Sequence, residues 1–236
     1  MSTVLITGAG RGFGRELLDV YAERGWVVFP LLRDQKVADD LSQAFPSGCF
    51  PIVSDVTSES LEDRIVAALQ KHAPALDLLI NNAGSIRKAR GAMEAPVDDM
   101  LSYFNVHCVG ALRCTRAALP FLRKAPKPVV VNITSRFGSI GKTAAAGHSS
   151  ARMVYSYKIA KSAQNMLTAC LNRELRGENI LVHAVHPGRL LTSAAARDAD
   201  TDPREAAERL FEWVGQVDES LACKCYDLMG GGTIEW

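Results

Sequence analysis

Net charge is almost absent from this 236-residue chain, whose 27 basic residues are balanced by 26 acidic ones. Such a balance gives no support for a nucleic-acid or membrane-surface partner. Long hydrophobic runs are missing too, and none approaches the roughly 20 apolar residues that cross a bilayer. Met1-Ser2-Thr3 passes straight into Val4-Leu5-Ile6, without the basic start and cleavable apolar stretch of a secretory leader, so a cytoplasmic protein is expected. There are six cysteines and no Cys-x-x-Cys pair. Cys223 and Cys225 would share one face of a strand, but the residues around them offer no further ligands, so reduced packing thiols and no metal site are expected. Internal repeats, low-complexity tracts and domain linkers are also lacking, which reads as one domain over residues 1–236.

What is present is an alternation of short apolar runs with longer amphipathic segments. Strands are expected at residues 3–7, 26–32, 49–53, 76–81, 129–134, 180–185 and 224–228. Several are apolar almost throughout, as in Val129-Val130-Val131, which suits strands covered on both faces. Helical periodicity runs over 15–24, ending at Gly25, and over 58–72, with Thr57 or Ser58 as cap. The two longest helices are expected over 98–123 and 150–176. The alternation predicts an α/β, doubly wound parallel sheet of about seven strands with helices on both faces, and a ligand at the carboxyl ends of the strands. Residues 194–203 read as the least structured stretch, suited to a lid.

The first strand is followed by Thr7-Gly8-Ala9-Gly10-Arg11-Gly12-Phe13-Gly14 and then at once by helix. Glycines let a pyrophosphate approach the backbone, and the helix start offers free N–H groups and a positive dipole end. The second strand ends Leu31-Leu32-Arg33-Asp34, with neutral Leu32 where an acid would hold the ribose hydroxyl of NAD. Arg33 and Arg11 together suit a 2′-phosphate, hence NADP(H). The alternative leaves Arg33 in solvent and gives the hydroxyl of NAD to Asp34.

Tyr157 and Lys161 are four residues apart at the start of a long helical segment, so they share one face. A nearby ammonium favours phenolate and lowers a tyrosine pKa, which would make Tyr157 an acid/base near neutral pH. Tyr155 has Ile159 as its i+4 neighbour and lacks that partner. His183 and His186, three apart on a strand, would point to opposite faces and do not suggest a metal.

The Thr-Gly-x-x-x-Gly-x-Gly turn, the Asn81-Asn82-Ala83-Gly84 segment and the Tyr157-x-x-x-Lys161 pair, in this order, resemble the single-domain branch of the short-chain dehydrogenase/reductase family. Within it the chain most resembles the C-factor-like and sniffer-like carbonyl reductases, on Ser135-Arg136-Phe137-Gly138-Ser139-Ile140, the Pro187-Gly188 segment and the glycine-rich end before Trp236. The resemblance implies hydride transfer between NADP(H) and a small carbonyl or secondary-alcohol substrate. Tyr157 and Lys161 would serve both catalysis and cofactor binding, Ser135 would orient the substrate oxygen, and Asn105 would kink the long helix and anchor a water linking Lys161 to solvent. It implies adenine contacts at Asp55 and Val56, cofactor contacts at Asn82, Ala83 and Gly84, and nicotinamide contacts at Pro187, Gly188, Leu190 and Thr192. The residue readings keep rivals open: capping for Asp55, Thr134 in place of Ser135, and a helix–helix bond for Asn105. The stretch from Ser135 to Tyr157, with Ala144-Ala145-Ala146-Gly147, His148 and Met153, should line the substrate pocket. Relatives of this kind form homodimers or homotetramers through helices corresponding to 98–123 and 150–176, and some are monomers. A dinucleotide-binding signalling protein of the C-factor type is the second reading.

Overall fold

A computed structural model of the protein describes residues 1–84, 91–146, 154–192 and 199–236. Its centre is one sheet of eight strands: β1 (Thr3–Thr7), β2 (Val27–Leu32), β3 (Ile52–Val53), β4 (Leu78–Asn81), β5 (Val129–Ile133), β6 (Leu181–His186), β7 (Cys225–Asp227) and β8 (Thr233–Ile234). They lie in the order β3-β2-β1-β4-β5-β6-β7-β8. Every neighbouring pair is parallel except β7 and β8. One strand more than expected is present, because the turn through Gly231 and Gly232, at φ 67° and 101°, reverses the chain and lays Thr233–Ile234 antiparallel on Cys225 and Tyr226.

Alternation along the strands explains the two cores. Val4 and Ile6 face one side, with Val131 and Val185, and meet Leu17, Leu18 and Tyr21 of α1 (Gly12–Glu23) and Leu210 of α8 (Pro203–Gly215). Leu5 faces the other, with Leu79, Val130 and Val182, and meets Ile65 of α3 (Leu61–His72), Phe121 of α5 (Gly110–Leu122) and Leu171 of α7 (Tyr155–Leu175). Strands buried on both faces have no polar side to alternate with, hence their continuous apolar runs. No helix among the described residues is long and apolar enough to cross a membrane.

Two helices had no clear sign in the periodicity. In α2 (Gln35–Ala44) only Ala38 and Leu41 are buried, a stripe too thin to recognise. In α8 the buried face is Ala206, Ala207 and Leu210, and the start is fixed by Asp202, whose carboxylate accepts from the N–H groups of Arg204 and Glu205, with Pro203 next. The expected lid over 194–203 therefore ends in a helix cap, and residues 194–198 lie outside the described residues. Helix α3 begins at Leu61 rather than at Ser58. The helix expected over 98–123 is interrupted: α4 (Val97–Phe104) passes through a π-turn at Asn105–Val109 into α5. A short helix α6 (Ile140–Ala145) follows β5. The start of the expected 150–176 helix, along with Gly147, His148 and Met153, falls outside the described residues.

Candidate functional site

Strand order reverses between β1 and β4, and in an open parallel sheet the crevice beyond that point is where ligands bind. The glycine turn lies there. Gly8 and Gly12 have φ of 69° and 56°, a region costly for any residue with a Cβ. The N–H groups of Gly8 and Ala9 tie the turn to the carbonyl of Leu31 on β2. Gly14 lies hard against the backbone of Gly8 and the side chain of Asn82. Arg11 caps α1 and is exposed, while Phe13 is buried behind it. No acid occupies the first turn of α1, so nothing there repels a phosphate.

The end of β2 carries the groups that would discriminate the dinucleotides. Leu32 is buried and the Arg33 side chain is 74% exposed. One guanidinium nitrogen of Arg33 lies 3.4 Å from Asp55. The rival residue Asp34 is engaged locally: its Oδ1 accepts from the N–H groups of Lys36 and Val37 at the start of α2. Asp55 also has a local duty, accepting from the N–H and the hydroxyl of Thr57 at 2.9 and 2.7 Å. Burial pushes its carboxyl up, but the bonds from Thr57 and Arg33 outweigh this and hold it below the usual carboxylate range. Val56 is buried against Gly110.

The Asn-Asn-Ala-Gly segment divides its work. The buried Asn81 amide donates to Asn132 Oδ1 at 2.9 Å, and Asn132 in turn donates to Thr168 of α7, so side chains lace β4, β5 and α7 together. Asn82 Nδ2 donates to the carbonyl of Thr7, and the N–H groups of Asn82 and Ala83 donate to the Thr7 hydroxyl. The glycine turn and the end of β4 are thus one rigid unit.

Past the end of β5, Ser135 is buried and hydrogen-bonded to the hydroxyl of Tyr157. Its Oγ also accepts from the N–H of Phe137, capping the turn Arg136–Gly138. The neighbouring Thr134 is committed elsewhere, donating to Asn165 Oδ1 at 2.6 Å. Lys161 Nζ stands 5.7 Å from the Tyr157 ring centroid and donates to the carbonyl of Ile133 and to Gln164 Oε1. Here the electrostatics run against the sequence expectation of a lowered tyrosine pKa. Burial raises the Tyr157 phenol to about 12, with the Ser135 bond opposing it, and lowers the Lys161 ammonium to about 7. Desolvation is the largest cause for both, disfavouring the charged form of each group.

Asn105 opens the π-turn, and its Oδ1 accepts from Arg113 Nη1 at 2.8 Å. The residue that reaches Tyr157 from this element is His107, buried, with its ring 5.3 Å from the phenol ring and nearly perpendicular to it. Tyr103 packs on both. Neither had been singled out, because a π-turn changes which residues face inward and leaves no periodic trace in the sequence. On the far side of the crevice, Thr192 lies against Gly12, 3.6 Å from where a Cβ would stand. Leu190 bridges to Thr201, and the close backing of Gly188 by Met229 and Thr201 fixes the segment from buried Pro187 onward. His183 and His186 are both buried in β6, and no metal-holding group of three His, Cys, Asp or Glu exists among the described residues.

A parallel sheet with this crevice, glycine turn and Ser-Tyr-Lys cluster belongs to the nucleotide-dependent oxidoreductases, and comparison with known proteins places it more closely. The short chain dehydrogenase family model matches residues 2–203, and the chain belongs to that family. It is 32% identical over 207 residues to the rhamnolipids biosynthesis 3-oxoacyl-[acyl-carrier-protein] reductase of Pseudomonas aeruginosa, covering 85% of this chain and 77% of the relative. It is 28% identical over 155 residues to C-signal of Myxococcus xanthus, covering 66% of this chain and 90% of the relative. An NADPH-bound carbonyl reductase from chicken fatty liver superimposes with a TM-score of 0.89 at 25% identity, over 100% of this chain and 99% of that one.

Proposed function

We propose that the protein is an NADP(H)-dependent carbonyl reductase, a single cytoplasmic domain that reversibly interconverts a small carbonyl compound and its secondary alcohol. The observation that carries this reading is the convergence of Ser135, Tyr157 and Lys161 beyond β5, on the crevice edged by the glycine turn. The residues present fit a dinucleotide. Gly8, Gly10, Gly12, Phe13 and Gly14 would take the pyrophosphate, Arg11 and Arg33 a 2′-phosphate, and Asp55 and Val56 the adenine. Asn82, Ala83, Gly84, Pro187, Gly188, Leu190 and Thr192 would border the nicotinamide half. NADP(H), when bound, supplies or accepts the hydride at its nicotinamide ring.

The protein's own part is the proton. A phenol raised to about 12 keeps its proton at neutral pH, which is the form needed to donate to a carbonyl oxygen. The Ser135 hydroxyl holds that oxygen beside the phenol and stabilises charge as it develops. Lys161, on the same helix face, offers its ammonium to the phenolate formed and to the nicotinamide ribose. With Asp34 engaged in capping α2, the exposed Arg33 is left, together with Arg11, to select a 2′-phosphate over a free hydroxyl.

The exposed apolar residues Val97 and Leu101 of α4 and Ile159 and Met166 of α7 support assembly through these helices into a homodimer or homotetramer, measurable by light scattering.

The test is a panel of carbonyl compounds followed by loss of NADPH absorbance, with NADH in parallel, on the wild type and Tyr157→Phe. Removing the acid should lower turnover by about 10³-fold and leave NADPH affinity unchanged. A fully active Tyr157→Phe enzyme refutes the reading. The likeness to C-signal favours a second one: tight NADPH binding with no carbonyl reduced by the wild type would point to a signalling protein.

A further inference from the structure

The imidazole of His107 stands between two parts of the site, Tyr157 and the Gly84 backbone. On one side its ring centroid is 5.3 Å from that of Tyr157, with an interplanar angle of 84°. On the other it lies over the backbone of Gly84, so closely that a Cβ there would meet His107 Cε1 at 2.6 Å and Nδ1 at 3.1 Å. Behind it Tyr103 stacks in parallel at 6.0 Å, with an interplanar angle of 10°. The ring is 1% exposed and sits in the middle of the π-turn Asn105–Val109. Such turns insert one extra residue per turn and so re-aim a side chain, and they occur often at functional sites.

We propose that His107 is a positioning residue for Tyr157: a flat ring wedged between the Gly84 backbone and the phenol, which holds the hydroxyl toward Ser135 and ties its place to the cofactor-facing end of β4. This rests on the reading of Tyr157 as the acid. The physical reason is that an aromatic pair in edge-to-face contact has one favoured relative placement, and that a misplaced acid loses rate steeply even when binding is intact. Gly84 is part of the device, since any side chain there would drive the imidazole onto Tyr157.

The test uses His107→Ala, His107→Phe, Gly84→Ala and the double variant Gly84→Ala/His107→Ala, assayed with NADPH and the best carbonyl substrate. His107→Ala should lower kcat by about 10- to 100-fold, with KM for NADPH unchanged within about two-fold. His107→Phe, which keeps a flat ring and lacks nitrogen, should restore kcat to within about five-fold of wild type. Gly84→Ala should slow the wild type by a larger factor than it slows His107→Ala, because part of its effect acts through the contact with that ring. His107→Leu, which fills the volume without a flat ring, should behave as alanine does and replaces it if the alanine variant does not fold. Wild-type kcat in His107→Ala or His107→Leu overturns the proposal, and so does a His107→Phe enzyme as slow as either. Tyr157→Phe separates the two ideas: if it stays active, the reading of the acid fails, whereas its inactivity beside an unaffected His107→Ala sinks only the wedge.

Discussion

Gly14 stands so close to Gly8 that a methyl group on the first would lie 2.2 Å from the carbonyl oxygen of the second. The same methyl would come within 2.5 Å of Asn82 Nδ2, which bonds the carbonyl of Thr7. The packing of α1 onto the end of β1 thus depends on one missing carbon atom.

Gly14→Ala is therefore expected to cost about 3 kcal/mol of stability, since the obstacle is backbone and cannot swing aside. Urea denaturation would measure this. NADPH affinity should fall with it, as the start of α1 is displaced.

Arg33→Ala should weaken NADPH binding by about 10- to 100-fold, the worth of a charge-assisted bond to phosphate, and leave NADH binding nearly unchanged. Its stability should hardly move, because among the described residues the exposed guanidinium makes one ion pair, with Asp55 at 3.4 Å. Fluorescence titration with both nucleotides checks the difference. Equal losses for NADPH and NADH would remove the 2′-phosphate assignment.

Asn132→Leu is expected to destabilise the fold by about 2–3 kcal/mol, because it leaves the buried Asn81 amide and the Thr168 hydroxyl without the partner they share. Calorimetry would register a fall in Tm. An unchanged Tm would mean that the laced side chains contribute little.

His183 and His186 bear on acid stability. Burial lowers each imidazole from its ordinary 6.5 to about 4, with the charge of Arg176 helping at His183. Both stay neutral in the folded protein while the unfolded chain takes up protons below pH 6.5. Stability from these groups is complete above pH 6.5, falls as the pH drops from 6.5 to 4, and levels off below. Among the described residues neither nitrogen of His183 has a hydrogen-bond partner, and the ring packs edge-on to Trp213 and Tyr226. His183→Phe should fold and should flatten the acid slope of Tm by roughly half, as one of two such groups. An unaltered slope would place the acid sensitivity elsewhere.

The parts of the fold that could be read from residue order are those where local chemistry suffices. Val129–Ile133 is apolar enough to require a buried strand, Gly25 ends α1 as expected, and Tyr157 and Lys161 lie on one helix face by spacing alone. What escaped depends on contacts distant in sequence. Helices α2 and α8 bury too few large residues to produce a stripe, although Asp202-Pro203 was a local start signal passed over. The π-turn brings His107 against Tyr157, a contact that no periodicity announces. The raised phenol and lowered ammonium come from burial, which the separation of two residues along a helix does not report.

Both flanks of the sheet, among the described residues, are two-residue strands, Ile52–Val53 and Thr233–Ile234, with a single bridge between Val28 and Cys49 beside the first. An extended segment arriving from another molecule would find few backbone donors and acceptors to zip along on either flank. The hairpin that adds β8 thus makes the sheet a poor seed for cross-β growth, despite the long apolar strands at its centre.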